Sequence, residues 1–102
     1  MQVKSNANQR PTFARFPIGQ TYITPGAEEA LMIAGQTGIE FLRRHMCADW
    51  SELSDDDAQK NELSLREGFR VLSAYRTSAG QKLWIITEAD RMSTTILLPD
   101  EY

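Results

Sequence analysis

The sequence predicts an α+β domain in which two to three N-terminal helices pack on a C-terminal three- to four-stranded antiparallel β-meander. Three observations predict it. Capping residues punctuate the stretch from Thr24 to Gly68, side-chain polarity alternates with a period of two after Gly68, and turn-forming residues break that alternation twice. At 102 residues the chain is the size of one domain, large enough to bury a core without disulfide or metal staples.

The first fifteen residues, MQVKSNANQRPTFAR, are rich in Asn, Gln and Ser, and their burial does not repay the entropy of ordering them. They predict a flexible N-terminal arm over residues 1–15, followed by a single domain over residues 16–102. FPIGQTYIT carries Phe16, Ile18, Tyr22 and Ile23 broken by Gly19, which predicts a short or bulged strand at the sheet edge. Thr24-Pro25-Gly26 opens a first helix, with Thr24 as N-cap, Pro25 at the first helical position and Gly35 just past the end. Ala27, Ala30, Leu31 and Ala34 form its apolar face. Thr37 and Glu40 fit a capping box for a second helix whose apolar positions are Ile39, Leu42 and Met46, with Arg43 and Arg44 near its C-terminus. Ser54, followed by Asp55, Asp56 and Asp57, starts a third helix that Gly68 stops. From there FRVLSAYR, KLWIITE and STTILL read as strands separated by turns at Thr77-Ser78-Ala79-Gly80 and Ala89-Asp90-Arg91. Pro99 ends the last strand. Val71, Tyr75, Leu83, Ile85, Ile96 and Leu98 are the candidates for the buried face, and the helices cover it.

Composition bounds the function. Eleven Lys and Arg against fourteen Asp and Glu give a net charge of −3, so no overall positive field draws the chain onto nucleic acid or an anionic membrane. One cysteine, Cys47, leaves no intramolecular disulfide and no multi-cysteine zinc site, and fits a reducing cytoplasm. No apolar run reaches the roughly 20 residues of a membrane-spanning helix, and Met1 to Arg15 has no apolar segment of the signal-peptide kind. No cofactor or metal is expected. Asp55, Asp56, Asp57 and Asn61 lack the Gly and terminal Glu of a calcium loop and read as a helix N-terminus.

His45 is the lone histidine, and Asp49 follows four residues later, where a carboxylate orients an imidazole for general base work if the helix continues that far. The plainer reading is a polar residue near a helix end with a local hydrogen bond. Cys47, close in sequence to Arg43, Arg44 and His45, reads as buried filler. Thr87 to Thr95 is the densest polar cluster and falls on a turn between hydrophobic strands, where a rigid frame holds functional groups. Its plainer reading is a solvated turn with an ion pair.

Two segments, RHMCADWSELSDDDAQKNE and LSAYRTSAGQKLWIITEADRMSTTILLPDEY, carry a resemblance over residues 17–102 to short plasmid-related proteins of plasmids, integrative elements and prophages. The resemblance implies a mobile-element accessory protein that counters host defence, regulates transfer or acts in a toxin pair. A more distant likeness is to the barnase/RelE-like ribonuclease superfamily, in which an early helix supplies a His and a late strand a Ser or Thr beside the scissile phosphate. That likeness carries over to His45 and to Thr94 or Thr95.

The leading reading is a non-enzymatic module that binds a protein partner through Trp50, Tyr75, Glu88, Asp90 and Arg91, because Trp and Arg are frequent interface anchors. The alternative is a ribonuclease or toxin-type RNA-binding protein. In it His45 is the general acid or base, Arg76 and Arg91 hold phosphate, and Thr94 or Thr95 stabilises the transition state. That reading requires His45 and the Thr94-Thr95 pair to line one cleft. A third reading, DNA binding through the first two helices, meets acidic Glu28, Glu29 and Glu40.

Overall fold

The computed structural model describes residues 13–50 and 53–102. Along the chain run β1 (Gln20–Ile23), α1 (Pro25–Ala34), α2 (Gly38–Met46), α3 (Asp55–Glu67), β2 (Val71–Arg76), β3 (Lys82–Thr87), β4 (Ser93–Leu97) and a closing 3-10 turn, Pro99–Glu101. The α+β class is as the sequence predicts, and β2, β3 and β4 form the expected meander, with Ser73 opposite Ile85 and Ile85 opposite Ile96.

The sheet as a whole departs from the purely antiparallel one expected. Its strand order is β1-β4-β3-β2, so β1 takes an edge as predicted, but it runs parallel to β4, with Gln20 opposite Ser93 and Ile23 opposite Ile96. The helices therefore fall between the first and second strands of the chain rather than ahead of the whole sheet. The reason is connectivity: parallel neighbours need a long crossover, and α1 to β3 supplies one between β1 and β4. Gly19 makes the approach possible. Its φ of +63° lies in the left-handed region, and a Cβ there would collide with the backbone carbonyls of Arg91 and Met92.

The helix signals hold with one exception. Thr24 Oγ1 accepts from the Ala27 amide at 3.2 Å and donates to Glu101 at 2.5 Å, and the Glu101 carboxylate also accepts from the amides of Gly26 and Leu98. These bonds to the charged form hold the Glu101 carboxyl below the usual carboxylate range. The closing turn is thereby stapled to the N-terminus of α1. Ser54 caps α3 through the Asp57 amide, and Gly35 and Gly68 end α1 and α3 in the left-handed conformation. The exception is Thr37, which makes no side-chain cap; Glu40 instead accepts from Gln36 Nε2 at 3.1 Å. The apolar face predicted for α2 is also rotated. Phe41 and His45 are buried and Leu42 packs beside them, whereas Ile39 faces outward.

The core between helices and sheet is Ala27, Ala30, Leu31, Phe41, Tyr75, Leu83, Ile85 and Ile96, with Leu42 and Leu98 packed against it. Val71 is fully buried beside this group. The two sheet edges differ. On β2, Asn61 of α3 donates to the Leu72 carbonyl at 2.6 Å and accepts from the Leu72 amide at 3.2 Å, replacing the bonds of a missing strand. On β1, the amides of Gln20 and Thr24 turn inward to Met92 and Ile96, so alternation turns the backbone of Thr21 and Ile23 outward. The arm expected over residues 1–15 falls mainly outside the described residues. Its last residue is docked: the Arg15 amide donates to Met46 and its guanidinium forks onto Glu62 with both bonds at 2.9 Å. No helix among the described residues is long and apolar enough to cross a membrane.

Candidate functional site

Position 45 lies one turn after Phe41 on the buried face of α2, so the imidazole is carried into the core rather than onto the surface. His45 is 0% exposed and sits edge-on to the rings of Phe16, at 5.2 Å, and Trp50, at 6.3 Å. A ring that polar needs partners there, and it has two. Nδ1 lies 2.6 Å from Ser73 Oγ, and Nε2 lies 2.8 Å from Thr87 Oγ1. Thr87 Oγ1 is in turn 2.6 Å from Thr94 Oγ1, which donates to the Ile18 carbonyl at 2.7 Å.

Counting protons from that last bond fixes the polarity of the chain. Thr94 spends its hydrogen on Ile18 and must accept from Thr87; Thr87 must then accept from His45 Nε2–H; Nδ1, left bare, accepts from Ser73. This is the neutral imidazole, and the surroundings keep it so. Burial, helped by the charge of nearby Arg91, lowers the His45 pKa to about 3.

The candidate residues are thus divided. His45 and Thr94 come together, through Thr87, but inside the protein. Thr95 pairs with Tyr22 and Ile86, on the opposite face of the sheet from Thr94. Arg76 is exposed at the far end of β2, opposite Lys82, where it donates to the Gly80 carbonyl at 3.2 Å. Arg91 reaches the carbonyls of Phe69, Glu88 and Ala89 through Nη1 and that of Ser64 through Nη2, which ties the β3–β4 turn to the C-terminus of α3. Asp49 does not orient His45. The helix ends at Met46, Ala48 takes a φ of +63°, and Asp49 accepts from Arg44 Nε at 2.8 Å.

The proposed contact residues also divide. Tyr75 is fully buried, its hydroxyl donating to the Asp49 carbonyl at 2.7 Å and its ring under Arg44, so it offers no surface to a partner. Trp50 is half-buried and donates to Glu62 at 2.9 Å. Glu88 faces Arg70 at 3.4 Å, and Asp90 accepts from the Met92 amide at 2.9 Å at the exposed tip of the turn.

Sequence reasoning missed Ser73 and read Thr87 as the start of a polar turn instead of the buried end of β3, yet a signal was there. Both stand in phase with core positions, Ser73 between Val71 and Tyr75 and Thr87 after Leu83 and Ile85, so the alternation places hydroxyls on the buried face where a polar partner is required. It missed, too, the outward apolar side chains of the first two helices: Met32 at 75% exposure, Ile33 at 72% and Ile39 at 63%. Comparison with family models, with curated proteins and with solved structures finds no match to this chain.

Proposed function

We propose that the chain is a non-enzymatic protein-binding module, of the mobile-element accessory kind that its resemblance implies, working in the cytoplasm on a host protein. The observation that carries this reading is the outward display of Met32, Ile33 and Ile39 on α1 and α2, three large apolar side chains within eight residues of sequence. Exposed apolar groups rimmed by polar ones mark interaction surfaces. Glu28, Glu29, Glu40 and Arg43 are exposed charged residues of the same helices and set the charge a partner has to match. Asp90 and Met92, at the exposed tip of the β3–β4 turn, are candidate secondary contacts. Arg91 and Tyr75 act by holding the frame.

The ribonuclease alternative is weakened by the burial that joins His45 to Thr94. A general base has to come within about 3 Å of the proton it takes, and a fully enclosed imidazole meets no phosphodiester. The test is binding to a partner identified by cross-linking from position 33 and then purified. Met32→Glu with Ile33→Glu is expected to weaken that complex by at least about tenfold while leaving the thermal midpoint unchanged. Unaltered affinity would remove the proposed surface. RNA cleavage by the wild type that disappears in a folded His45→Gln variant would restore the ribonuclease reading.

A further inference from the structure

Glu28 and Glu29 lie one turn before Met32 and Ile33 on α1, so each exposed carboxylate is the i,i+4 neighbour of an exposed apolar side chain, while Ala27, Ala30 and Leu31 face the core. Glu40 follows exposed Ile39 on α2 and accepts from Gln36, a neutral group. Against these carboxylates the two helices carry two arginines. Arg43 is exposed, but Arg44 is bonded to Asp49 at 2.8 Å. The β2–β3 turn adjoins the end of α1, where Ser78 bonds to Gln36 and Ala34. Its flanking cations, Arg76 and Lys82, alternate with core-facing Tyr75 and Leu83 and so point to the other face of the sheet.

We propose that the segment this surface takes from its protein partner is a cationic amphipathic helix, with Lys or Arg spaced one turn from its apolar side chains. The proposal rests on the partner-binding reading above and adds the chemistry of the segment bound. Charge selects it at two ranges. Close in, Glu28, Glu29 and Glu40 outnumber the one exposed arginine, so an acidic or phosphate-bearing segment would set like charges against each other while its apolar face was being buried. Farther out, the net charge of −3 on the chain steers a cationic segment toward it. Spacing selects the helix. On α1 the rows Glu28–Met32 and Glu29–Ile33 run four residues apart, the ridges that interdigitate with the equivalent rows of a second helix. A partner with its bases one turn from its apolar residues places both against their complements at once.

The probe is a helical peptide with Leu along one face and Lys along the other, set against a counterpart in which Glu replaces every Lys, each titrated into the full chain at about 0.15 M salt. The Lys peptide is expected to bind at least about tenfold more tightly than the Glu peptide. Glu28→Lys with Glu29→Lys is expected to invert that order, and Glu28→Gln with Glu29→Gln, which disturbs the first turn of α1 less, to narrow it. Met32→Ser with Ile33→Ser is expected to weaken the Lys peptide at least about tenfold, as is a Pro at the centre of the peptide. Asp56→Lys with Asp57→Lys, at the acidic first turn of α3, is expected to leave the order in place. Equal binding of the two peptides would overturn the proposal. So would an order that survives both changes at Glu28 and Glu29, one that is lost with the α3 pair instead, or binding indifferent to the serines or to the proline. These failures are distinct from failure of the partner-binding reading, which falls if Met32→Glu with Ile33→Glu leaves the complex with the cross-linked host protein intact. A complex lost with that pair but unmoved by Glu28→Lys with Glu29→Lys keeps the surface and overturns the cationic helix.

Discussion

At the scale of single residues, His45 shows how one buried base sets a pH response. Its folded pKa of about 3 lies below the ordinary 6.5, so between those values the unfolded chain binds a proton that the folded chain does not. The stability contributed by the neutral ring is complete above pH 6.5 and drains away as pH falls toward 3, at a limiting slope of about 1.4 kcal/mol per pH unit. His45→Gln keeps much of the volume and removes the titration. It is expected to cost about 2 kcal/mol at neutral pH, because the Ser73 and Thr87 hydroxyls lose well-placed partners. Urea unfolding at a series of pH values checks the sign: the gap between wild type and variant should shrink as the solution is acidified, and parallel curves would contradict it.

At the scale of elements, α3 matters more to the sheet than its polar sequence implies. It exposes most of its length, yet Asn61 binds both backbone groups of Leu72 and the guanidinium of Arg91 closes its C-terminal end. Asn61→Leu would leave an amide and a carbonyl of β2 without partners, at a cost of about 2 kcal/mol. In hydrogen exchange the Leu72 amide is expected to lose protection by at least about tenfold while the amides shared between β3 and β4 keep theirs. Uniform loss across the sheet would mean that Asn61 supports the whole fold rather than one edge.

At the scale of the whole molecule, the pairing of β1 with β4 joins residues from opposite ends of the sheet-forming chain, Thr21 with Thr94, whereas β2 and β3 meet across a short turn. Loop closure makes the distant pairing slow, so β2–β3–β4 is expected to form first and β1 to dock late. Stopped-flow folding checks this. Leu83→Ala should mainly slow folding, whereas Gly19→Ala, which disturbs the approach of β1, should mainly speed unfolding. The same contrast explains what was legible in the sequence. Period-two alternation, with Gly68, the two turns and Pro99 as punctuation, reports local geometry, and it gave the meander and five of the six expected core positions as fully or nearly fully buried, with Leu98 half-buried. The parallel hand of β1 left no local trace. Nor did the fate of His45, whose partners stand 28 and 42 residues away; only the hydroxyls at Ser73 and Thr87, out of place on an apolar face, hinted that something polar would meet them. The face of α2 was misread because Phe41 and His45 fill the buried positions and Ile39 does not.

The parallel β1–β4 pair also decides how the fold bears mechanical load. Tension applied between the segment before β1 and the segment after β4 pulls the two strands past each other along their length, so their rungs are strained together instead of being peeled one at a time. Once the Arg15 and Glu101 attachments that flank the two strands have yielded, a pull on both flanks thus meets a shear clamp, and the meander behind it is spared most of the load until that clamp gives way.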